Sequence, residues 1–256
     1  MNGATRIAYD RGGRGARAMN EPWTGAWRWV IDRADGRPTI STTRYCFMAA
    51  QKDRTPKAEP LSDSDAATLI RSVMGAGGGT LETTVEGDEW IQVNSNFVGF
   101  LPHQAASTVL RAVQVSGDDM SQQVLGTERE ILADYRYARI SDAGESDLAG
   151  AWEVRAEDWS GIVIFTDSQY QYLVTRDDRP LETTNDSSDS DLADLYKSTH
   201  SEAGSYLLGD GVLEMTPDIA MNPAAQQVAD LRRYLLTEGM LELEFNGSIL
   251  RFGKVE

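Results

Sequence analysis

The stretch WTGAWRWV (residues 23–30) has a partner later in the chain, because its central GAW returns 125 positions on in LAGAWEV (residues 148–154). The surrounding residues keep this offset. ISTTRYCFMAAQKDR (residues 40–54) aligns without a gap with FTDSQYQYLVTRDDR (residues 165–179). A chance tripeptide carries no such register into its surroundings, so the chain is a tandem duplication.

Later segments repeat at slightly different offsets. SDSDAATLIRS, which begins at Ser62, matches SDSDLADLYKS, which begins at Ser188, and Pro102 matches Pro223 at an offset of 121. A few deletions in loops produce such changes. The 256 residues therefore divide into two units of about 115, each large enough to bury its own core.

Composition limits the classes of protein that fit. The single cysteine, Cys46, excludes an internal disulfide framework and is interpreted as a small buried hydrophobe in a reducing compartment. No apolar run approaches membrane-spanning length, and the N-terminus lacks the apolar core of a signal peptide. We expect a cytoplasmic protein without a membrane partner.

The charge distribution argues against a nucleic-acid partner. Residues 1–18 carry four arginines and one aspartate, so the remaining 238 residues sum to −19 within a net charge of −16. The segment DRGGRGARA (residues 10–18) fits a nucleic-acid-binding tail in another setting. It is short and lacks aromatic residues, and Met19 follows it, which favours a disordered extension or an upstream start over residues 1–19.

Each unit opens with a strand at Gly-Ala-Trp, followed by a second strand in which Tyr170, Tyr172 and Val174 alternate with Gln171 and Leu173. This period of two indicates a β-strand. Next comes a helix, because Ser62 and Ser188 each precede an aspartate by three residues, as in a capped helix start. Apolar residues at i, i+3, i+4 and i+7 follow both serines.

The rest of each unit is predicted to form antiparallel hairpins. Asp210-Gly211 and Asn246-Gly247 lie between apolar runs at positions that need positive φ. About eight strands per unit are enough to close a barrel. We therefore predict a mainly β protein: two tandem antiparallel barrels, each with one short inserted helix.

The motifs Gly-x-Trp, FTDSQYQY, AGSYLL, MNPAAQ and LRRYLL together resemble the bacterial lipocalin-like domain family, here present as a tandem repeat. The first unit matches less well, because its GGGTL lacks the tyrosine. The resemblance implies a lipocalin-like barrel 1 over residues 20–140, a linker over 141–147 and barrel 2 over 148–256. It also implies a hydrophobic cavity, and its relatives include both ligand carriers and cofactor-independent cyclases or isomerases.

Several motifs of known chemistry are missing. There is no phosphate-binding glycine loop between a strand and a helix, and GAGGGT (residues 75–80) is interpreted as a flexible bulge or turn. No Gly-x-Ser-x-Gly elbow is present, and His103 and His200 fall at non-equivalent points without metal-ligand spacing. We expect neither a metal nor a cofactor.

Trp27 and Trp152 are ligand-site candidates, but the resemblance implies that each closes one barrel end beneath an arginine, Arg136 or Arg251. Arg111 and Arg232 lie in apolar strands. An inward arginine needs an anionic or carbonyl partner, whereas an outward or salt-bridged one does not.

The remaining candidates lie on aromatic strands and predicted barrel-mouth loops. A neutral histidine in such a loop acts as a general base near pH 7 or is simply a surface residue. The candidate catalytic residues are His103, Tyr45 and Arg111. The candidate ligand-binding residues are Phe47, Trp90, Asn96, Tyr170, Tyr172, Tyr206, Asn222 and Arg232.

These observations predict a pseudo-dimer within one chain, in which at least one barrel binds a small, mainly hydrophobic molecule; further oligomerisation is left open. The rival is a cofactor-independent isomerase, cyclase or dehydratase of a small-molecule pathway. A third interpretation is that side chains fill both barrels and that the protein only scaffolds partners. Differences between the units, such as His103 and Trp90 in the first against His200 and Tyr206 in the second, favour specialisation.

Overall fold

The computed structural model describes residues 21–86, 89–245 and 247–255. They form two closed eight-stranded antiparallel barrels in tandem, each with one α-helix, which confirms the predicted fold class. The predicted N-terminal extension lies outside the described residues. No helix in the described ranges is long and apolar enough to cross a membrane.

In barrel 1, each strand pairs with the next along the chain, and the last pairs with the first to close the barrel. A short 3-10 helix, Pro102–Gln104, connects the fifth and sixth strands. The elements are β1 Gly25–Trp29, β2 Ala34–Ile40, β3 Arg44–Gln51, α1 Asp63–Ser72, β4 Val73–Glu86, β5 Glu89–Gly99, β6 Thr108–Ser116, β7 Asp119–Leu125 and β8 Ile131–Ser141.

Barrel 2 repeats this order and closes through the pairing of its last strand with its first. Its 3-10 helix, Pro223–Ala225, stands at the place of the one in barrel 1. The elements are β9 Gly150–Val154, β10 Trp159–Phe165, β11 Gln169–Arg176, α2 Asp189–Lys197, β12 Thr199–Leu208, β13 Val212–Ala220, β14 Asp230–Thr237, β15 Met240–Phe245 and β16 Ser248–Lys254.

Both helices begin where the sequence predicts. The Ser62 hydroxyl accepts a hydrogen bond from the backbone N–H of Asp65 at 3.1 Å, and the Ser188 hydroxyl accepts one from Asp191 at 3.2 Å. Each hydroxyl satisfies an N–H group that the first turn otherwise leaves without an acceptor.

The two helices pack against each other with opposite charges at both ends. Arg71, in the last turn of α1, pairs with Asp189, in the first turn of α2, at 2.9 Å. Lys197, in the last turn of α2, lies 3.8 Å from Asp63, in the first turn of α1. The reciprocal pairs show that α1 and α2 run antiparallel and exchange equivalent contacts, as two copies related by a pseudo-twofold axis do.

The outer faces of the two barrels also pack together. Met48 and Val98 of barrel 1 belong to the same buried cluster as Ile162 and Leu173 of barrel 2. A Cβ atom at Gly78 would lie only 2.5 Å from the Ile162 side chain, so this close approach requires glycine. The barrels therefore share one apolar interface.

Two repeated arginines cross that interface reciprocally. Arg54 donates to the backbone oxygens of Ala220 and Met221 at 2.7 and 2.9 Å. Its counterpart Arg179 donates to Gly99 at 2.6 Å and to the following carbonyl at 3.1 Å. The duplicated unit thus binds its copy as the two subunits of a symmetric dimer do.

One end of each barrel is filled by a buried tryptophan. Trp27 is 0% exposed, and its indole N–H donates to the Trp23 carbonyl at 2.9 Å. Trp152 is 1% exposed, and its N–H donates to the Leu148 carbonyl at 2.8 Å. The two units therefore hold this ring in the same way.

The prediction that Arg136 and Arg251 cover the two tryptophans is wrong. Arg136 is exposed, and Arg251 is an exposed residue that pairs with Glu242 at 2.8 Å. Instead, Arg139 lies 4.1 Å from the Trp27 ring centroid and Lys254 lies 5.1 Å from that of Trp152. Side chains alternate along a strand, so a residue three positions away points to the opposite face.

Candidate functional site

Barrel 1 contains a cavity of about 370 Å³. This volume lies within the range of pockets that hold small organic ligands. Its wall is mainly aromatic and aliphatic, with Trp29, Ile40, Tyr45, Phe47, Val109, Val124, Tyr135 and Tyr137. Four charged or amide side chains, Arg37, Asn94, Arg111 and Gln122, interrupt that wall.

Two glycines on β4 stand where barrel 2 has larger side chains, and one of them, Gly75, lines the cavity. Gly77 lies opposite Phe47, as Glu202 lies opposite Tyr172 in barrel 2. Two positions earlier, Gly75 occupies the position that His200 has in barrel 2. Barrel 1 thus lacks two inward side chains that barrel 2 contains.

The glycine-rich segment GAGGGT was expected to form either a bulge or a turn. The segment lies within the continuous strand β4, so the prediction of a turn is wrong. The register against β5 shifts between Gly78 and Gly79, which is a β-bulge, the other expected form.

Two cationic side chains line the cavity, Arg37 and Arg111. Arg37 pairs with Asp218 at 2.8 Å, whereas Arg111 has no ion pair among the described residues. The Nη1 of Arg111 donates to Gln122 Oε1 at 3.1 Å, whereas its buried Nε has no hydrogen-bond partner in the described chain. Tyr137 lies beside it: burial raises the pKa of this phenol to about 12, although the positive charge of Arg111 opposes the rise. The buried Oδ1 of Asn94, also on the cavity wall, likewise has no described hydrogen-bond donor.

A second polar group connects the cavity to the loop after β5. The Tyr45 hydroxyl donates to Asn96 Oδ1 at 2.5 Å, and the Asn96 amide donates to Ser107 Oγ at 2.7 Å. Burial raises the pKa of Tyr45 well above its usual range. This phenol therefore stays protonated at neutral pH and orients Asn96 rather than acting as a base.

Barrel 2 has the equivalent arginine, but here two carboxylates neutralise it. Arg232 lies 2.9 Å from Glu202 and 2.7 Å from Asp230. Its Nη2 donates to the Tyr172 hydroxyl at 3.2 Å, and its guanidinium lies 4.6 Å from the Phe245 ring centroid. Only Nη1 has no hydrogen-bond acceptor among the described residues.

Glu202 is deeply buried. Burial raises its pKa, and the positive charge of Arg232 partly offsets this rise. The Tyr170 hydroxyl donates to the same carboxylate oxygen at 3.0 Å. The interior of barrel 2 thus contains a cation, its counter-ion and a hydrogen-bond donor, all supplied by the chain itself.

The structure brings three predicted residues of barrel 1 together. Tyr45, Phe47 and Arg111 line the cavity, and Asn96 lies behind Tyr45 as its hydrogen-bond acceptor. Two predicted residues are elsewhere. His103 is exposed on the 3-10 helix and is not part of the cavity wall, and Trp90 packs edge-on against Trp23 with ring centroids 5.2 Å apart.

In barrel 2, Tyr172, Asn222 and Arg232 line a polar depression of about 490 Å³, to which Lys57 of the first unit contributes. The Asn222 amide donates to the Lys57 carbonyl at 2.9 Å. Tyr206 is remote from this depression.

The Tyr206 hydroxyl donates to the Thr166 carbonyl at 2.6 Å, and the Tyr206 ring packs on Phe165. Tyr206 therefore belongs to the packed interior of barrel 2.

Sequence reasoning missed Glu202, Gln122 and Tyr137. The alignment of GGGTL with EAGSY already shows the exchange of Gly77 for Glu202, and this was the available signal. Gln122 and Tyr137 lie on strands whose inward face became clear only from the pairing of β7 with β8.

No family model matches the chain, and no curated protein matches it. Among solved structures, the uncharacterized protein YLR301w from Saccharomyces cerevisiae is similar, with a TM-score of 0.51 and 12% identity over 90% of this chain and 97% of that one. A DNA polymerase sliding clamp from Pseudomonas aeruginosa gives a TM-score of only 0.14 at 6% identity, over 91% of this chain and 57% of that one. The tandem-barrel architecture therefore has a counterpart in a solved protein, and at this identity the likeness concerns the fold alone.

Proposed function

We propose that the chain is a lipocalin-like binding protein whose barrel 1 takes up a small, mainly hydrophobic molecule. The observation that supports this most directly is the cavity of about 370 Å³ behind an aromatic and aliphatic wall. Apolar surface that a ligand removes from water there contributes roughly 25 cal/mol per Å².

The contrast between the two barrels supports a specialised first barrel. In barrel 2, Leu213, Leu243 and Phe245 belong to a buried core with Tyr172 and Trp152. This packed apolar core excludes a ligand around Trp152. The depression that barrel 2 does have is polar and is lined by Glu202 and Arg232. The duplication thus provides one barrel with a mainly apolar cavity and one barrel with a polar depression.

Two further assignments rest on the same features. The eight-stranded barrels with a buried first-strand tryptophan support membership of the lipocalin-like family. The free Cys46 is fully buried, which agrees with a cytoplasmic location because it needs no oxidising compartment.

The cavity can be blocked from β4. A Cβ atom at Gly75 has its nearest neighbour, on Phe47, at 3.6 Å, so a side chain there has room to start and would extend into the cavity. We expect Gly75→Phe to weaken binding of the small neutral probe 1-naphthylamine at least tenfold in a fluorescence titration. Val85→Phe adds the same ring at an exposed position of β4 and serves as the matched control.

Equal probe binding by Gly75→Phe, Val85→Phe and wild type would contradict the proposal. Native mass spectrometry of the protein from its own host then identifies any co-purified molecule. Incubation of that molecule with the protein separates carrier from enzyme, because an isomerase, cyclase or dehydratase would yield an isomeric or dehydrated product.

A further inference from the structure

We infer that the ligand of barrel 1 is an apolar monocarboxylic acid whose carboxylate pairs with Arg111. This inference rests on the proposed function and adds the chemistry of the ligand's polar end. It comes from a position-by-position comparison of the two barrels, which place an arginine at the same point of the same strand.

The two arginines are equivalent by strand pairing. Arg111 lies two residues after Val109, which pairs with Asn94 on β5. Arg232 lies two residues after Asp230, which pairs with Met215 on β13. Val109 therefore occupies the position of Asp230.

Barrel 1 has lost both carboxylates that neutralise the arginine in barrel 2. Gly77 replaces Glu202, and Val109 replaces Asp230. No carboxylate of the described residues forms an ion pair with Arg111, whose polar neighbours are the neutral Gln122 and Tyr137.

An uncompensated guanidinium in an apolar wall is costly, so a cavity that retains one is suited to an anion. The buried Nε of Arg111 is the atom whose counterpart in barrel 2 binds a carboxylate, Asp230, at 2.7 Å. A Cβ atom at Gly77, the position of Glu202, would lie 2.8 Å from both Asn96 Oδ1 and the Phe47 ring, so barrel 1 fills that place with its own side chains. Val109, at the position of Asp230, lines the cavity with Arg111. A ligand carboxylate beside Val109 would receive the planar pair of N–H donors that guanidinium presents.

The rest of the cavity indicates the ligand's other end. Trp29, Phe47 and Tyr135 line it, and they favour an apolar tail. Since a water molecule takes about 30 Å³ in the liquid, a cavity of about 370 Å³ accommodates on the order of ten to fifteen non-hydrogen atoms. Decanoic acid is of this size.

The first test compares decanoic acid with decan-1-ol, a neutral molecule of the same chain length, by isothermal titration calorimetry at pH 7.5. We expect wild type to bind the acid about 10- to 100-fold more tightly, as a charge-assisted hydrogen bond provides. Arg111→Met should remove this preference and keep the affinity for the alcohol.

A second pair of variants tests the vacant anion position without removing the arginine. Val109→Asp would supply a carboxylate to the Nε of Arg111, as Asp230 does for Arg232. We expect it to weaken decanoic acid binding at least tenfold and to leave the alcohol unaffected. Val109→Asn has the same shape without the charge and should keep the preference for the acid.

The outcomes separate the two proposals. Equal affinity of wild type for acid and alcohol overturns the carboxylate inference and leaves the proposed apolar binding intact. Failure of the protein to bind either compound overturns both. If Arg111→Met does not fold, as judged by circular dichroism, the comparison of Val109→Asp with Val109→Asn decides the inference by itself.

Discussion

Replacing Glu202 by alanine should convert the interior of barrel 2 toward the arrangement of barrel 1. The side chains of Glu202 and Arg232 are each only 10% exposed and lie 2.9 Å apart, so the change leaves a buried cation without its main counter-ion. Breaking such a pair typically costs 3–5 kcal/mol. Arg232 keeps Asp230, whose side chain is 54% exposed, so we expect about 3 kcal/mol, the lower end of that range.

Urea unfolding followed by circular dichroism measures this loss. With a urea slope of about 3 kcal/mol per M, the midpoint of Glu202→Ala should fall by about 1 M. Acetate should then restore part of the stability, because it can occupy the space of the deleted carboxylate. At tenfold excess over its dissociation constant, acetate contributes about 1.4 kcal/mol.

Chloride at equal ionic strength controls for general salt effects, and Glu202→Gln controls for space, since its amide fills the site and excludes acetate. An unchanged urea midpoint in Glu202→Ala would refute the claim that this ion pair holds barrel 2 together. A restoration by chloride equal to that by acetate would refute the idea that the arginine site selects a carboxylate.

Two further predictions concern stability. Trp27→Ala and Trp152→Ala should each lower the free energy of unfolding by about 3 to 5 kcal/mol, because each removes a buried ring that a cation covers. If the variants kept the wild-type urea midpoint and lost only ligand binding, the rings would instead be ligand contacts. Burial, together with the nearby charge of Arg232, lowers the pKa of His200 from 6.5 to about 4, so the contribution of neutral His200 is present above pH 6.5 and is lost as the pH falls toward 4. Wild type should therefore lose up to about 3 kcal/mol more than His200→Gln between pH 7 and 4 in urea titrations, and parallel pH profiles of the two proteins would contradict this.

Much of the local structure was predictable because it depends on short-range physical chemistry. Ser62 and Ser188 cap their helices as the Ser-x-x-Asp spacing indicates. The alternating residues of FTDSQYQYLV form paired strands, as expected from period two. The duplication itself predicted that the two units would share one fold.

The candidate site was only partly predictable. Tyr45, Phe47 and Arg111 were named from aromatic alternation and from a charge within an apolar strand, and the barrel places all three around one cavity. His103 was named because it lies in a predicted mouth loop, but the 3-10 helix turns its side chain outward into solvent. A loop's place in the chain does not determine the direction of a side chain within it.

The sequence by itself determined that there are two copies of one barrel, where their helices begin and which positions differ between the copies. Only the tertiary structure decided that Val109, the counterpart of Asp230, lines the same cavity as Arg111. It also decided that Arg139, rather than Arg136, covers Trp27. The physical reason is that pairing between strands, with its bulges, sets which side chains meet inside a closed barrel, and the order of residues along one strand does not contain that register.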